Sequence, residues 1–131
     1  MIGGDGERFM LRAVAEHADW WNTLPRPLPL LRRRIGVLED HCAAVGRDPA
    51  TVRRTITFRC YLRRDAAAAK RLAGSRVLGD DPAFAGDPAE LIDHLGALAG
   101  LGFDHVQLVF PDFPATDDIE LFLAEVRPAF V

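Results

Sequence analysis

The residues best suited to chemistry stand at the start of the chain, where Gly3 and Gly4 precede a predicted helix that begins at Glu7. Successive glycine N–H groups can form a concave anion-binding nest. A helix that starts just after them adds the positive end of its dipole. The pattern therefore favours binding of a phosphate or another anion. The alternative, which the residues alone leave open, is a tight strand-to-helix turn that holds no ligand.

The histidines and cysteines match neither a metal site nor a nucleophilic site by their spacing. They are His17, His41, His94, His105, Cys42 and Cys60. His41 and Cys42 are adjacent on a predicted helix and so lie on different faces of it. No Ser–His–Asp or Cys–His signature marks a nucleophile. We predict no metal site, leave the catalytic residues unknown, and expect His105 to be the histidine that faces a barrel interior.

Arginines occur in three clusters, at residues 32–34, 53–54 and 63–64. A run of three wraps most of the way around a helix and makes no stripe, and acids lie close to each cluster. The net charge is −3 and the pI about 5.8. This balance predicts solvated charged faces and no nucleic-acid partner, because phosphate backbones require concentrated positive charge.

The elements that would position the glycine turn alternate between helix and strand. Helical spacing of apolar residues predicts helices at 7–18, 30–45, 87–102 and from 117 onwards, with a short alanine-rich helix capped by Asp65. Period-two alternation or aromatic content predicts strands at 19–22, 55–63 and 103–110, with loops at 24–29 and 75–85. Such alternation predicts an α/β fold, a parallel sheet covered by helices.

Several apolar rows are predicted to be buried. They are Phe9, Met10, Ala13 and Val14; Leu31, Ile35, Leu38, Cys42 and Val45; Ile56, Phe58, Cys60 and Leu62; Leu91, Leu95 and Leu98; Val106, Leu108 and Phe110; and Ile119, Phe122, Leu123, Val126 and Phe130. Trp20 and Trp21 would point to opposite sides of a strand, as core packing or as a wall for a ligand.

Length and composition are typical of a single globular domain over residues 1–131. Hydrophobic residues make up 49% and charged residues 27% of the 131 residues. No apolar run approaches the roughly 20 residues of a membrane span, and the N-terminus has no signal-peptide pattern. Two cysteines make no disulfide framework, which predicts a reduced, cytoplasmic setting. The lack of a long apolar run predicts no membrane partner.

Five segments together resemble the C-terminal part of luciferase-like oxidoreductases. They are 2–7 (IGGDGE), 11–22 (LRAVAEHADWWN), 41–49 (HCAAVGRDP), 86–88 (GDP) and 102–106 (GFDHV). Their order and spacing extend the likeness along the whole chain. The resemblance implies a TIM (β/α)₈ barrel, which needs about 250 residues when closed. This chain would supply its C-terminal half, a partial barrel.

The resemblance also implies a cofactor, either FMN or a deazaflavin (coenzyme F420), and nothing in the residues selects between them. In this family the double glycine and the end of the following strand hold the cofactor phosphate. Carried over, the cofactor-binding residues are Gly3, Gly4, Asn22 and Thr23. The family commonly has glycine after the aspartate of that strand, whereas this chain has the bulkier Trp20.

The activity implied is hydride transfer to or from the flavin or deazaflavin, or monooxygenation with FMN. The early barrel strands have no counterpart here, and the strand before Gly3 is reduced to Met1 and Ile2. We therefore expect a C-terminal fragment that is inactive alone. The alternative is a non-catalytic half-barrel, a binding or assembly module that pairs with itself or with a separate N-terminal half. Open sheet edges and an apolar open face would drive that pairing.

Overall fold

The computed structural model describes residues 1–76 and 83–131, where helices and strands alternate as predicted. The strands there are β1 (Ile2–Gly3), β2 (Trp20–Thr23), β3 (Arg53–Leu62), β4 (Ala83–Gly86) and β5 (Phe103–Val109). The α-helices there are α1 (Met10–His17), α2 (Leu28–Ala44), α3 (Ala66–Arg76), α4 (Pro88–Gly100) and α5 (Asp117–Leu121). A π-helical turn, Phe122–Val126, continues α5, and short 3₁₀ helices cover Pro49–Thr51 and Arg127–Ala129.

The strands form a mainly parallel sheet, which confirms the predicted α/β class. Strands β1, β2, β3 and β4 lie side by side in that order, each pair parallel, and β5 also pairs with β3. Gly3 lies opposite Asn22, and Asn22 lies opposite Thr55. The chain groups into two compact units, residues 1–57 with 101–107 and residues 58–100 with 108–131. The single domain over residues 1–131 stays a prediction.

In the first unit, α1 and α2 pack together, and the predicted apolar row of α2 is largely confirmed. Leu31, Ile35, Leu38 and Cys42 are buried at helical spacing. Val45 is exposed because α2 ends at Ala44 and Gly46, at φ +71°, turns the chain away. The helix starts at Leu28, earlier than predicted, since a proline in the first turn lacks only an N–H that would have no helical partner.

Helix α1 differs from its prediction in start and in buried face. It begins at Met10, and Phe9 before it is 75% exposed beside the Arg8 guanidinium. Residues 7–9 form turns, so Phe9 lies outside the helical repeat. The buried residues are Leu11, Val14 and Ala15. The predicted row with Phe9 and Met10 is therefore wrong, except at Val14.

In the second unit, α4 begins as the sequence predicts. The Glu90 N–H donates to Asp87 Oδ1 at 2.9 Å, and the Asp87 N–H donates to Glu90 Oε2 at 3.2 Å. This reciprocal pair satisfies two N–H groups at the helix end. Leu91, Leu95 and Leu98 carry the predicted buried row.

The segment predicted as a loop at 75–85 is wrong at both ends. Ser75 and Arg76 belong to α3, and residues 83–85 belong to β4. Residues 77–82 lie outside the described part. The short run Ala83–Gly86 has no strand alternation of its own, and its extended form comes from pairing with β3 at Cys60 and Leu62.

The apolar row predicted for the last helix holds only in part. Val126 is buried, but Leu123 and Phe130 are half-exposed. The π-helical turn after α5 adds a residue to the turn and rotates the later positions away from the predicted face. The row on β5 is also less buried than predicted, since Val106 and Leu108 are only half-buried. No helix among the described residues is long and apolar enough to span a membrane.

Candidate functional site

The predicted glycine turn lies at the carboxyl end of β1, beside the carboxyl end of β2. The Gly4 N–H donates to the Asn22 carbonyl at 3.0 Å, and the Gly4 carbonyl accepts from Trp21 Nε1 at 2.6 Å. The carboxyl ends of parallel strands are the usual place for ligands in α/β folds. Here they line a cleft of about 250 Å³. The lining residues are Gly3, Gly4, Asp5, Asn22, Thr23, Leu24 and Arg26.

All four residues predicted to bind cofactor thus lie around one cleft, but not in the predicted manner. The Gly4 N–H already donates to β2, so the anion-binding nest predicted from both glycine amides is wrong for Gly4. Gly4 has φ +122°, where an L side chain is strained, and an added Cβ would lie 3.0 Å from Met10 Cγ. Gly4 therefore shapes the turn, and its own N–H is already used by β2.

The amides that follow the turn are better placed to bind an anion. In the described part of the chain, the N–H groups of Asp5 and Gly6 donate no hydrogen bond to protein. Helix α1 begins four residues beyond Gly6, so its N-terminal end is further from the glycines than predicted. Asp5 lines the cleft and Gly6 follows it in the chain, so these two amides are candidate backbone donors there.

Two arginines give the cleft positive charge. Arg34 Nη1 contacts the Asp5 carboxylate, and Arg26 Nε donates to the same oxygen at 3.2 Å. Two guanidinium groups around one carboxylate leave a net charge of about +1, which offsets the repulsion that Asp5 alone would exert on a phosphate. Sequence reasoning missed both arginines. The available signal was Arg26 itself, a cation in the loop after the β2 strand end.

The prediction that the arginine clusters form solvated faces is wrong for two members. Arg34 is only 15% exposed, because a run of three arginines around a helix must turn one of them inward. Arg54 is 17% exposed, donates to the Leu101 carbonyl at 3.1 Å and pairs with Glu39 at 2.7 Å. Arg33 does lie exposed, paired with Glu7.

The side chains of Thr23 and Asn22 both contact other protein groups. Thr23 is 1% exposed, and its hydroxyl donates to the Leu24 carbonyl at 3.4 Å. The Asn22 carboxamide contacts the hydroxyl oxygens of Thr55 at 2.8 Å and Thr57 at 3.0 Å. Thr57 in turn contacts the Gln107 carboxamide at 2.7 Å.

The tryptophans point to opposite faces of β2, as predicted. Trp21 is completely buried against Phe103, which is the core-packing role. Trp20 is half-buried, with the Arg53 guanidinium 4.7 Å from its ring centre and His105 edge-on at 5.6 Å. His105 itself is exposed. The face that carries Trp20 and Asn22 is thus polar and aromatic.

His94, Cys42 and Cys60 lie in surroundings that suit packing better than catalysis. His94 lies between Phe58 and Phe84, and burial lowers its pKa. Burial raises the pKa of Cys60 to about 12, and the pKa of Cys42 is also raised, mainly by burial. Such thiols are poor nucleophiles at neutral pH. Among the described residues, no group of three or more His, Cys, Asp or Glu side chains is arranged to hold a metal ion.

A buried aspartate in the second unit escaped sequence reasoning altogether. Asp118 is 2% exposed, accepts the Leu62 N–H at 3.4 Å and pairs with Arg63, which also pairs with Asp112. Together, Leu62, Arg63 and Asp118 help to line a cleft of about 490 Å³. An acid in the first turn of a helix reads as a solvent-facing charge from the sequence, so its partner on β3 was not predictable.

Comparison with solved structures supports the fold class, and the similar structures are longer than this chain. A coenzyme F420-dependent tetrahydromethanopterin reductase from Methanopyrus kandleri is 16% identical, with a TM-score of 0.74 over 98% of this chain and 50% of its own. An EDTA monooxygenase from Chelativorans sp. BNC1 is 15% identical, with a TM-score of 0.75 over 98% of this chain and 43% of its own. The chain thus spans about half the length, or less, of these structures.

A third solved structure is similar to this chain over a comparable length. It is the oxygenating constituent of 3,6-diketocamphane monooxygenase from Pseudomonas putida, a Baeyer–Villiger monooxygenase in complex with FMN. It is 15% identical, with a TM-score of 0.69 over 98% of this chain and 48% of its own. These likenesses confirm the predicted partial TIM-barrel fold. No match was found among curated protein sequences.

The family is shown by sequence. The profile of luciferase-like monooxygenases matches residues 1–83, which include the glycine turn, β2 and β3. The matched region covers well over half of the 131 residues. The chain therefore belongs to the luciferase-like monooxygenase family.

Proposed function

We propose that this chain holds the phosphate of a flavin-type cofactor, FMN or coenzyme F420, in the cleft around Gly3, Gly4, Asn22 and Thr23. The observation that carries the proposal is the combination of amides and charge at one sheet end. The Asp5 and Gly6 amides lack protein acceptors within the described residues, and Arg26 and Arg34 outweigh Asp5 beside them. Backbone N–H groups with a nearby guanidinium are the usual partners of phosphate.

Each residue has a distinct role in this proposal. Gly4 makes the turn that directs the following amides to the cleft, since its backbone conformation strains any other residue. Asp5 orients Arg26 through its carboxylate. Asn22 contributes its carbonyl, which fixes the turn to β2. When bound, the cofactor itself would supply hydride transfer or, as FMN, activation of oxygen.

We further propose that oxidoreductase or monooxygenase turnover requires barrel strands beyond those that this chain supplies. Support comes from its span of about half the length of similar structures. The remaining strands would come from an N-terminal half or from a second copy. A non-catalytic assembly module is the second candidate, favoured by β1, a two-residue strand whose Met1 is 69% exposed. A cytoplasmic location accords with two buried, unpaired cysteines.

Isothermal titration of the chain with FMN and with riboflavin tests the phosphate site. Riboflavin carries the same ring system without the phosphate, so FMN should bind at least tenfold more tightly. Gly4→Val should abolish that preference, whereas Gly36→Val should retain it, because an added Cβ at Gly36 meets nothing within 4 Å. Equal binding of both ligands, or an unchanged preference in Gly4→Val, would show that the cleft does not hold phosphate.

A further inference from the structure

Helices α1 and α2 pack against each other and leave another cleft, of about 420 Å³, within the first unit. The lining residues are Arg8, Arg12, His41, Ala44 and Val45. None of these five lines the cleft at the carboxyl ends of β1 and β2. The α1–α2 cleft is therefore separate from the proposed phosphate site.

The side chains of the α1–α2 cleft carry an excess of positive charge. Arg12 Nε donates to Glu16 at 2.7 Å, and among the described residues no hydrogen bond engages the two Nη groups of Arg12. Arg8 forms no ion pair within that part of the chain, and its guanidinium lies 5.0 Å from the centre of the Phe9 ring. Two guanidinium groups and one carboxylate leave a net charge of about +1, so the cleft attracts a monoanion.

The nearby end of α2 does not cancel this charge. A helix C-terminus carries partial negative charge on its unpaired carbonyl groups. Here the three N–H groups that follow Ala44 donate to the carbonyls of residues 41–43, at 2.9 to 3.3 Å. His41 Nε2 contacts the Glu7 carbonyl at 2.8 Å, so this nitrogen donates, and in the neutral ring the other nitrogen only accepts. The two arginines are therefore the side-chain donors that the cleft offers to an anion.

Apolar groups lie beside the two arginines. Ala44 and Val45 line the cleft, and Val45 is 45% exposed. Phe9, whose ring lies against the Arg8 guanidinium, is 75% exposed. The volume of the cleft falls within the roughly 300–1,000 Å³ of small-molecule sites, which combine apolar walls with a few polar groups.

We propose that the α1–α2 cleft binds a small carboxylate that carries an apolar body. Arg8 and Arg12 hold the carboxylate, since a guanidinium presents parallel N–H groups that match its two oxygens. Ala44 and Val45 contact the hydrocarbon part of the ligand. A carboxylate carries one negative charge, which matches the net charge of the cleft, whereas a phosphate monoester carries roughly −1.5 to −2 near pH 7. The proposal is independent of the phosphate site at β1 and β2.

Three ligands test the carboxylate and the apolar body separately. Compared with 3-phenylpropionate, 3-phenylpropan-1-ol has the same body without the charge, and acetate has the charge without the body. The Nε signals of Arg8 and Arg12 and the methyl signals of Val45, followed by NMR in the unaltered chain, assign binding to this cleft. We expect 3-phenylpropionate to bind about tenfold more tightly than the alcohol, through a charge-assisted hydrogen bond, and about tenfold more tightly than acetate, through burial of the ring.

Variants of the lining residues test each contact. In the double variant Arg8→Gln/Arg12→Gln, the preference for the acid over the alcohol should fall to about one, because both charges are lost. Arg8 and Arg12 are exposed, so this variant should fold, which circular dichroism checks. Val45→Thr replaces a methyl group by a hydroxyl, so it should weaken 3-phenylpropionate binding about threefold and leave acetate binding unchanged. Arg71→Gln is the matched control, since Arg71 is an exposed arginine beside Asp65 in the second unit, and it should keep both preferences.

Several outcomes would overturn the proposal. They are equal affinity of the unaltered chain for 3-phenylpropionate and either comparison ligand, an unchanged preference in the double variant, and a lost preference in Arg71→Gln. Shifts of the Asp5 and Gly6 amide signals, with the Arg8 and Arg12 signals unmoved, would assign the carboxylate to the cleft at β1 and β2 and would also overturn it.

Discussion

Replacing Gly4 by alanine should destabilise the chain by about 2 kcal/mol, since a non-glycine residue in so sparsely populated a backbone region costs about 1–3 kcal/mol. The backbone at Gly4 has φ +122°, and a new Cβ would lie 3.0 Å from Met10 Cγ. Two effects could contribute, backbone strain and the contact with Met10. Because the methionine side chain is flexible and half-exposed, it can move aside at little cost, and strain should dominate.

A second substitution separates the two effects. Met10→Ala removes the contact but not the strain, so the double variant should show the same loss from Gly4→Ala within about 0.5 kcal/mol. Gly3→Ala is the matched control, since its nearest neighbour would be 3.9 Å away, and it should change stability by about 0.5 kcal/mol or less. Urea unfolding followed by circular dichroism measures the unaltered chain and the four variants. If Gly4→Ala were as stable as Gly3→Ala, or if Met10→Ala restored it, the strained-turn account would be wrong.

Three further predictions concern the rest of the chain. Asp118→Ala should lower the free energy of unfolding by about 2 kcal/mol, because it leaves the buried Leu62 N–H without its acceptor and Arg63 with Asp112 as its carboxylate partner; Asp117→Ala, an exposed neighbour, should change it little. Burial lowers the pKa of His94 below its ordinary value of 6.5, so at pH values below 6.5 the unfolded chain binds more protons than the folded chain. The free energy of unfolding should therefore fall as the pH drops below 6.5, and this pH dependence should be weaker in His94→Phe. Sedimentation over a concentration series should show self-association through the β1 edge, and a monomer at all concentrations would exclude it.

Features set by neighbouring residues in the sequence were the predictable ones. The capping pair of Asp87 and Glu90 and the buried row of α2 depend on contacts three or four residues apart. Strand β4 and the buried Asp118 depend instead on partners in β3 that are distant along the chain. No local pattern contains that information, so these features could not be predicted.

The same distinction applies to the candidate site. The glycine turn and the β2 strand end were predicted, and the parallel register of β1 and β2 brings them together. The arginines that surround Asp5 and the contacts of Asn22 with β3 required the packed structure. The open face was expected to be apolar, but the face of the first unit that carries Asn22 has Thr57 and Gln107 beside it. The alternation of apolar and polar residues in β3 did not show which of its two faces is covered. Ile56, on the face opposite Thr57, is completely buried.

The most direct test of the phosphate site is a ¹⁵N-labelled spectrum of the chain titrated with FMN and, separately, with riboflavin. The account predicts that FMN shifts the Asp5 and Gly6 amide signals and the Arg26 Nε signal, and that riboflavin leaves them unchanged. The amide signal of Gly100, the last residue of α4 and not part of the cleft lining, should not move with either ligand. Unchanged Asp5 and Gly6 signals at saturating FMN, or equal shifts with riboflavin, would contradict the account.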